Sequence, residues 1–135
     1  MLQPGLKGEL TWIVEERHLA SAFGSGLAPV FGTPMLVALC EAASRSAIEG
    51  LLGPSQQTVG TWVSVRHIAA TPPGMRVTAK AELVEVDGRR LRFRVEAFDE
   101  EEKIGETDHE RFIIDGERFA RRIADKAARI RPRQP

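Results

Sequence analysis

Four residues, Thr33, Glu41, Gly60 and His67, have the types and spacing to do chemistry together. Glu41 is the one charge in the run Met35 to Ala43, MLVALCEAA. A charge on an apolar helix needs a partner or a raised pKa. A carboxylate in such a setting is also a stronger base than in water. His67 titrates near neutral pH and can serve as acid and base. Thr33 stands at the expected start of the same helix, where free backbone N–H groups can hold an anion. Gly60 interrupts a strand pattern, which marks a bulge or the close approach of a ligand. Each residue also has a purely structural reading. Thr33 can be only an N-cap. Glu41 can pair with Arg45, one turn further on. His67 can be a satisfied core histidine. Gly60 can be only a bulge.

These residues need elements to hold them. The stretch from Gly32 to Gly53 reads as one long buried helix, with Thr33 as N-cap, Pro34 at the first helical position and Gly53 as the stop. Met35 to Cys40 are apolar on every face, so the rest of the domain is expected to wrap the helix. Before it, residues 7–15 read as a strand. Residues 16–31 read as a helical turn and a mobile loop, either a lid or an ordinary connection. After it, residues 57–69 form a strand with Val63, Val65 and His67 on one face. Thr71-Pro72-Pro73-Gly74 is a rigid turn. Residues 75–86 and 89–100 are two strands joined at Asp87-Gly88, a strong hairpin signal. Residues 102–114 are a last strand. A tail helix follows with Phe119, Ile123 and Ala127 on one face. The sum is an α+β fold, one central helix against a five-stranded antiparallel sheet.

The 135 residues suffice for a single domain over 1–135. Formal net charge is zero, so no bulk field directs the chain to nucleic acid or to a membrane. The first ten residues lack the pattern of a signal peptide, and no apolar run is long enough to span a bilayer. One cysteine, Cys40, cannot form an internal disulfide, and a cytoplasmic protein is expected. Three scattered histidines and one cysteine offer no metal spacing. His109, between Asp108 and Glu110, reads as polar support or surface. The basic tail, Arg118, Arg121, Arg122, Lys126, Arg129, Arg131 and Arg133, reads as a solvated face or as a contact for phosphates.

Three blocks resemble the hot-dog fold thioesterases, and more narrowly the fluoroacetyl-CoA thioesterase family. They are VFGTPMLVALCEAA with Thr33 and Glu41, VGTWVSVRHIAATPPG with Gly60 and His67, and the tripeptide His109-Glu110-Arg111. The likeness runs from about Val30 to about Phe119. It implies a hot-dog fold, the helix enclosed by the sheet, with chains paired through their sheets as a homodimer or a dimer of dimers. It implies that an acyl-CoA lies in a channel near the dimer interface, as substrate and with no further cofactor. By resemblance Thr33, Glu41 and His67 are catalytic and Gly60 is the active-site glycine. The family's selectivity for the fluorinated acyl group rests on lid phenylalanines. Leu27 and Gly24 stand at those places here, and Phe23 and Phe31 are out of step. The implied substrate is therefore a short or small acyl-CoA, with Leu27, Phe31 and Gly60 along it.

Thioester hydrolysis needs an attacking group, an oxyanion site and a proton for the departing thiolate. Glu41 can attack the carbonyl or activate water. His67 can move protons, Thr33 can orient, and backbone N–H groups at the helix start or at Gly60 can hold the oxyanion. The same pocket would also suit a non-catalytic acyl-CoA sensing module, or a hydratase of the same fold.

Overall fold

The chain was analysed as a computed structural model, which describes residues 1–130 and 133. Seven elements follow in order: β1 (Lys7–Ile13), α1 (Thr33–Ala47), β2 (Gln56–His67), β3 (Arg76–Asp87), β4 (Arg90–Phe98), β5 (Lys103–Asp115) and α2 (Gly116–Arg129). The five strands make one antiparallel sheet in the order β1-β3-β4-β5-β2. This is the hot-dog arrangement that the resemblance implies. The Asp87-Gly88 turn joins β3 to β4 as expected, with Gly88 at φ +62°.

The core lies between α1 and the β1-β3-β4 side of the sheet. Leu36, Leu39, Cys40 and Ala43 of α1 meet Val77, Ala79, Ala81 and Leu83 of β3 and Leu91, Phe93 and Val95 of β4. All are buried, because strict alternation along β3 and β4 turns every second residue to the helix. Each of the larger side chains contributes roughly 1.5–3 kcal/mol by leaving water.

The helix differs from its sequence reading in three ways. Its N-cap is Gly32 rather than Thr33, and no side chain caps it. The Thr33 hydroxyl is engaged elsewhere. The helix ends at Ala47 instead of reaching Gly53. The reversal falls at Gly50, whose φ of +79° other residues rarely adopt. Nor is α1 wrapped on all sides. Pro34 and Arg45 are exposed, and Ala38, Glu41 and Ala42 between them are half-buried. These positions share one face of the helix, and it is a partly open stripe in which Pro34, Ala38 and Ala42 stand beside the charged Glu41 and Arg45. It lies on the same side of the molecule as β2, one of the two edge strands of the sheet, which is mostly exposed along its length.

Residues 16–31 form two short turns, Glu16–His18 and Ala20–Ala22, then an exposed loop. A bridge between Leu19 and Phe31 closes the loop at its base. Asp115 caps α2, accepting from the backbone N–H of Glu117 at 3.0 Å and of Arg118 at 3.1 Å. No residue of α2 is buried, so the basic side chains from Arg118 to Arg129 are solvated. Arg131 lies outside the described residues. No helix among the described residues is long and apolar enough to cross a membrane.

Candidate active site

Two polar clusters sit on α1. The first is at its N-terminus. The chain enters through two backbone bonds, Phe31 N–H to the Thr71 carbonyl and Gly32 N–H to the His18 carbonyl, both 2.9 Å. Thr33 is then the first helical residue, and its Oγ1 lies 2.9 Å from His67 Nδ1 at the end of β2. His67 Nε2 is buried and has no hydrogen-bond partner among the described residues. Burial pushes His67 below the ordinary histidine value, and the backbone of Ala69 offsets part of this. The ring is therefore neutral near pH 7, with one nitrogen held by a hydroxyl and the other free to exchange a proton. A cavity of about 320 Å³ opens here, lined by Phe31, Gly32, Thr33, His67 and Ile68 among others.

The second cluster surrounds Glu41. The structural reading of Glu41 pairs it with Arg45, but the carboxylate faces Arg111 of β5, whose Nη1 is 3.5 Å from Glu41 Oε2. Arg45 is exposed on the next helical turn, whereas the buried Arg111 reaches Glu41 from β5. The guanidinium is fixed on two further sides. Its Nε donates to Thr58 Oγ1 at 2.8 Å and its Nη2 to the Thr58 carbonyl at 3.0 Å. His109 is buried as well, with Nδ1 2.8 Å from the Trp62 carbonyl and Nε2 3.1 Å from Arg111 Nη1. It is polar support, not surface.

Gly60 closes this cluster from above. A bulge falls between Gly60 and Trp62, as the glycine suggested. A Cβ at Gly60 would stand 2.8 Å from Glu41 Oε2 and 3.2 Å from His109 Cε1. The position is thus both a bulge and a close approach, and the bare backbone lets the carboxylate lie against β2.

The structure joins Thr33 to His67 and Gly60 to Glu41, but the pairs are apart. Eight helical residues separate Thr33 from Glu41, which is about 12 Å at 1.5 Å per residue. Leu27 is 98% exposed at the loop tip and touches neither cluster, whereas Phe31 is buried beside Thr33. Phe23 packs against Gly32, where a Cβ would come within 2.6 Å of its ring. The residues that sequence reasoning missed as site members are Arg111, Thr58 and His109. A signal was present. His109 and Arg111 occupy alternate positions of β5, on the same inward face as Ile113. Polar residues on a core-facing row require partners.

Comparison with known proteins fits this geometry. A family model described as fluoroacetyl-CoA-specific thioesterase matches residues 14–117. A fluoroacetyl-CoA thioesterase of Streptantibioticus cattleyicolor is 44% identical over 97 residues, covering 72% of this chain and 70% of the relative. The solved fluoroacetyl-CoA thioesterase FlK superposes with a TM-score of 0.88 at 34% identity, over 94% of this chain and 98% of that one. A thioesterase superfamily member from Thermus thermophilus gives a TM-score of 0.85 at 28% identity, over 95% and 97% of the two chains. With the family model matching most of its length and relatives of this identity and coverage, this chain belongs to the fluoroacetyl-CoA-specific thioesterase family of hot-dog acyl-CoA thioesterases.

Proposed function

We propose that the chain hydrolyses a small acyl-CoA thioester in a site that two copies build together: Glu41 and Gly60 of one copy with Thr33 and His67 of the other. That the chain is an acyl-CoA thioesterase follows from its family. The observation that carries the shared site is the separation of about 12 Å along α1, too far for Glu41 and the Thr33–His67 pair of one chain to meet on one carbonyl carbon.

Pairing along β2 removes the separation. β2 is a long edge strand with free backbone groups, beside the partly open stripe of α1 that carries Glu41. Such an edge is a template for another strand. A two-fold pairing centred on Ser64 sets Val63 against the partner's Val65. Once the bulged Thr61 is counted, it sets Gly60 against the partner's His67. Both then lie on the inner face, because the bulge restores the alternation that a plain strand would break. The partner's Thr33 and His67 arrive beside Glu41, and the two open helix stripes face each other. The acyl-CoA lies along this seam.

The chemistry follows from the assembled groups. Glu41 either draws a proton from water as it attacks the carbonyl, or attacks it directly to give an acyl-glutamyl anhydride that water then opens. In both routes the C–S bond breaks, the water that supplies the new acyl oxygen also supplies the proton that reaches the thiolate of coenzyme A by way of the partner's His67, and a carboxylate leaves. Backbone N–H groups at the start of the partner's α1, or at Gly60, hold the oxyanion. Related structures are described in complex with acetyl-CoA and with fluoroacetate, which supports a small acyl group. Leu27 and Phe31 complete the lid side, with Leu27 folding inward over bound substrate.

Free-thiol release from acetyl-, fluoroacetyl- and medium-chain acyl-CoA tests the reading. Wild type is expected to turn over the smallest esters fastest, with Glu41→Gln and His67→Ala both inactive. Undiminished turnover in either variant would remove that residue from the mechanism. Single turnover in ¹⁸O water tests the direct route, since label in Glu41 arises only from an anhydride that water opens at the glutamyl carbonyl.

A further inference from the structure

His109 has no role in the scheme above, yet it is buried against the reacting carboxylate and every polar atom of its ring is engaged. Its tautomer can be read from its neighbours. A carbonyl only accepts, so Nδ1, at 2.8 Å from the Trp62 carbonyl, carries the proton and donates it. A guanidinium only donates, so Nε2, at 3.1 Å from Arg111 Nη1, is bare and accepts. The ring is therefore neutral, with its proton on Nδ1. The carbonyl it holds lies at the β2 bulge, where the ladder to β5 slips. The nitrogen it presents holds the one guanidinium nitrogen that also faces Glu41.

We propose that His109 is a positioning residue, which as the Nδ1–H tautomer orients Arg111 so that the second N–H of Nη1 is aimed at Glu41 Oε2. The inference rests on Glu41 being the reacting carboxylate. Three acceptors surround the guanidinium: Thr58 Oγ1, the Thr58 carbonyl and His109 Nε2. Thr58 fixes Nε and Nη2 from β2. His109 fixes Nη1 from β5, and the second N–H of Nη1 is the one that faces Glu41. Without an acceptor at Nε2 the guanidinium can turn about its Thr58 contacts, and Glu41 loses its set position beside Gly60. The same ring ties Glu41 to the bulge. The Trp62 carbonyl, His109, Arg111 and Glu41 form one chain of contacts from the edge strand to the carboxylate. Ring orientation set from behind, by a group that never meets substrate, is the usual way a reacting group is held.

Two measurements test this. Long-range ¹H–¹⁵N NMR of the full chain at pH 7, with His109 assigned by the signals absent in His109→Gln, should show Nδ1 protonated and Nε2 bare. A proton on Nε2 would overturn the proposal, whether or not any thiol is released, so this arm stands apart from the thioesterase reading. In kinetics, His109→Phe fills the volume without an acceptor. It is expected to lower kcat about 10- to 100-fold with KM for acetyl-CoA nearly unchanged. His109→Gln, whose carbonyl oxygen can replace Nε2, should recover most of the loss. Equal activity of the Phe and Gln variants, or a loss that only tracks the folded fraction in a melting curve, would overturn it. Loss of turnover in wild type itself would instead strike the thioesterase reading.

Discussion

At the N-terminus of α1 a single hydrogen bond joins Thr33 to His67, and the far ring nitrogen has no partner. Two turns along, Glu41 rests against a guanidinium that is itself pinned by Thr58 and His109, with every ring nitrogen of His109 in use. The contrast matches two tasks. A group that moves a proton needs a free valence at the moment of reaction. A group that holds a carboxylate in place needs none, and gains from being tied on all sides. Both histidines are pushed below the ordinary value, first by burial. Only His67 has a nitrogen left to give.

The contrast can be broken most sharply at Glu41. Glu41→Gln removes the basic oxygen while keeping the shape, and kcat should fall about 10³-fold in a thiol-release assay. Retained turnover would move the chemistry to the Thr33 end. Next in size is Thr33→Val, which deletes the hydroxyl on His67 and should cost about 10- to 100-fold in kcat, with Thr33→Ser close to wild type. Thr33 is not a cap, so the melting temperature of Thr33→Val should stay near that of wild type. A large drop would return it to a structural role. Gly60→Ala is the smaller disturbance. Its Cβ meets the far end of a side chain, Glu41 Oε2, so activity should fall about tenfold with little change in stability.

A pH titration of stability sharpens the same comparison. His18, His67 and His109 all have folded values below the ordinary 6.5, burial being the first cause in each. The unfolded chain therefore binds more protons than the folded one just below pH 6.5. Stability is complete above that value and is lost as pH falls through it toward the folded values. Thermal melts at pH 7.5 and 5.5 should show the lower melting temperature at 5.5, and His109→Gln should reduce the difference. A flat profile would contradict the buried, neutral state of these rings. At the small end, Leu27→Ala at the loop tip should leave stability within about 0.5 kcal/mol, and any effect on kcat/KM would reveal closure of the loop over substrate.

Much of this was legible in the sequence. The Asp87-Gly88 hairpin, the alternation of β3 and β4 and the apolar start of α1 are local signals, and each was read at the right place. Thr33, Glu41, Gly60 and His67 stand out in the sequence through their blocks, and the structure brings them into contact as two pairs. What failed was decided by distant residues. Thr33 has the chemistry of an N-cap, but His67, 34 positions away, takes its hydroxyl, and Gly32 caps by backbone alone. Gly53 followed by Pro54 looks like the helix stop, yet Gly50 provides the left-handed turn three residues after the helix ends at Ala47. Arg45 is the near partner of Glu41 along the chain, whereas Arg111, 70 positions away, is the near partner in space. The apolar circumference of α1 was read as enclosure by the domain. In one chain a stripe of it stays open beside β2, and that opening is the main argument for a second copy.

The most direct test of the shared site is subunit complementation. Glu41→Gln and His67→Ala, each inactive alone, are denatured together, refolded as a mixture and assayed for thiol release. In a mixed dimer one of the two sites carries both changes and the other carries neither. Recovery of about a quarter of wild-type activity, as expected from statistical mixing, is the predicted result. No recovery, with mixed dimers shown to form, would place the whole site within one chain and contradict the account.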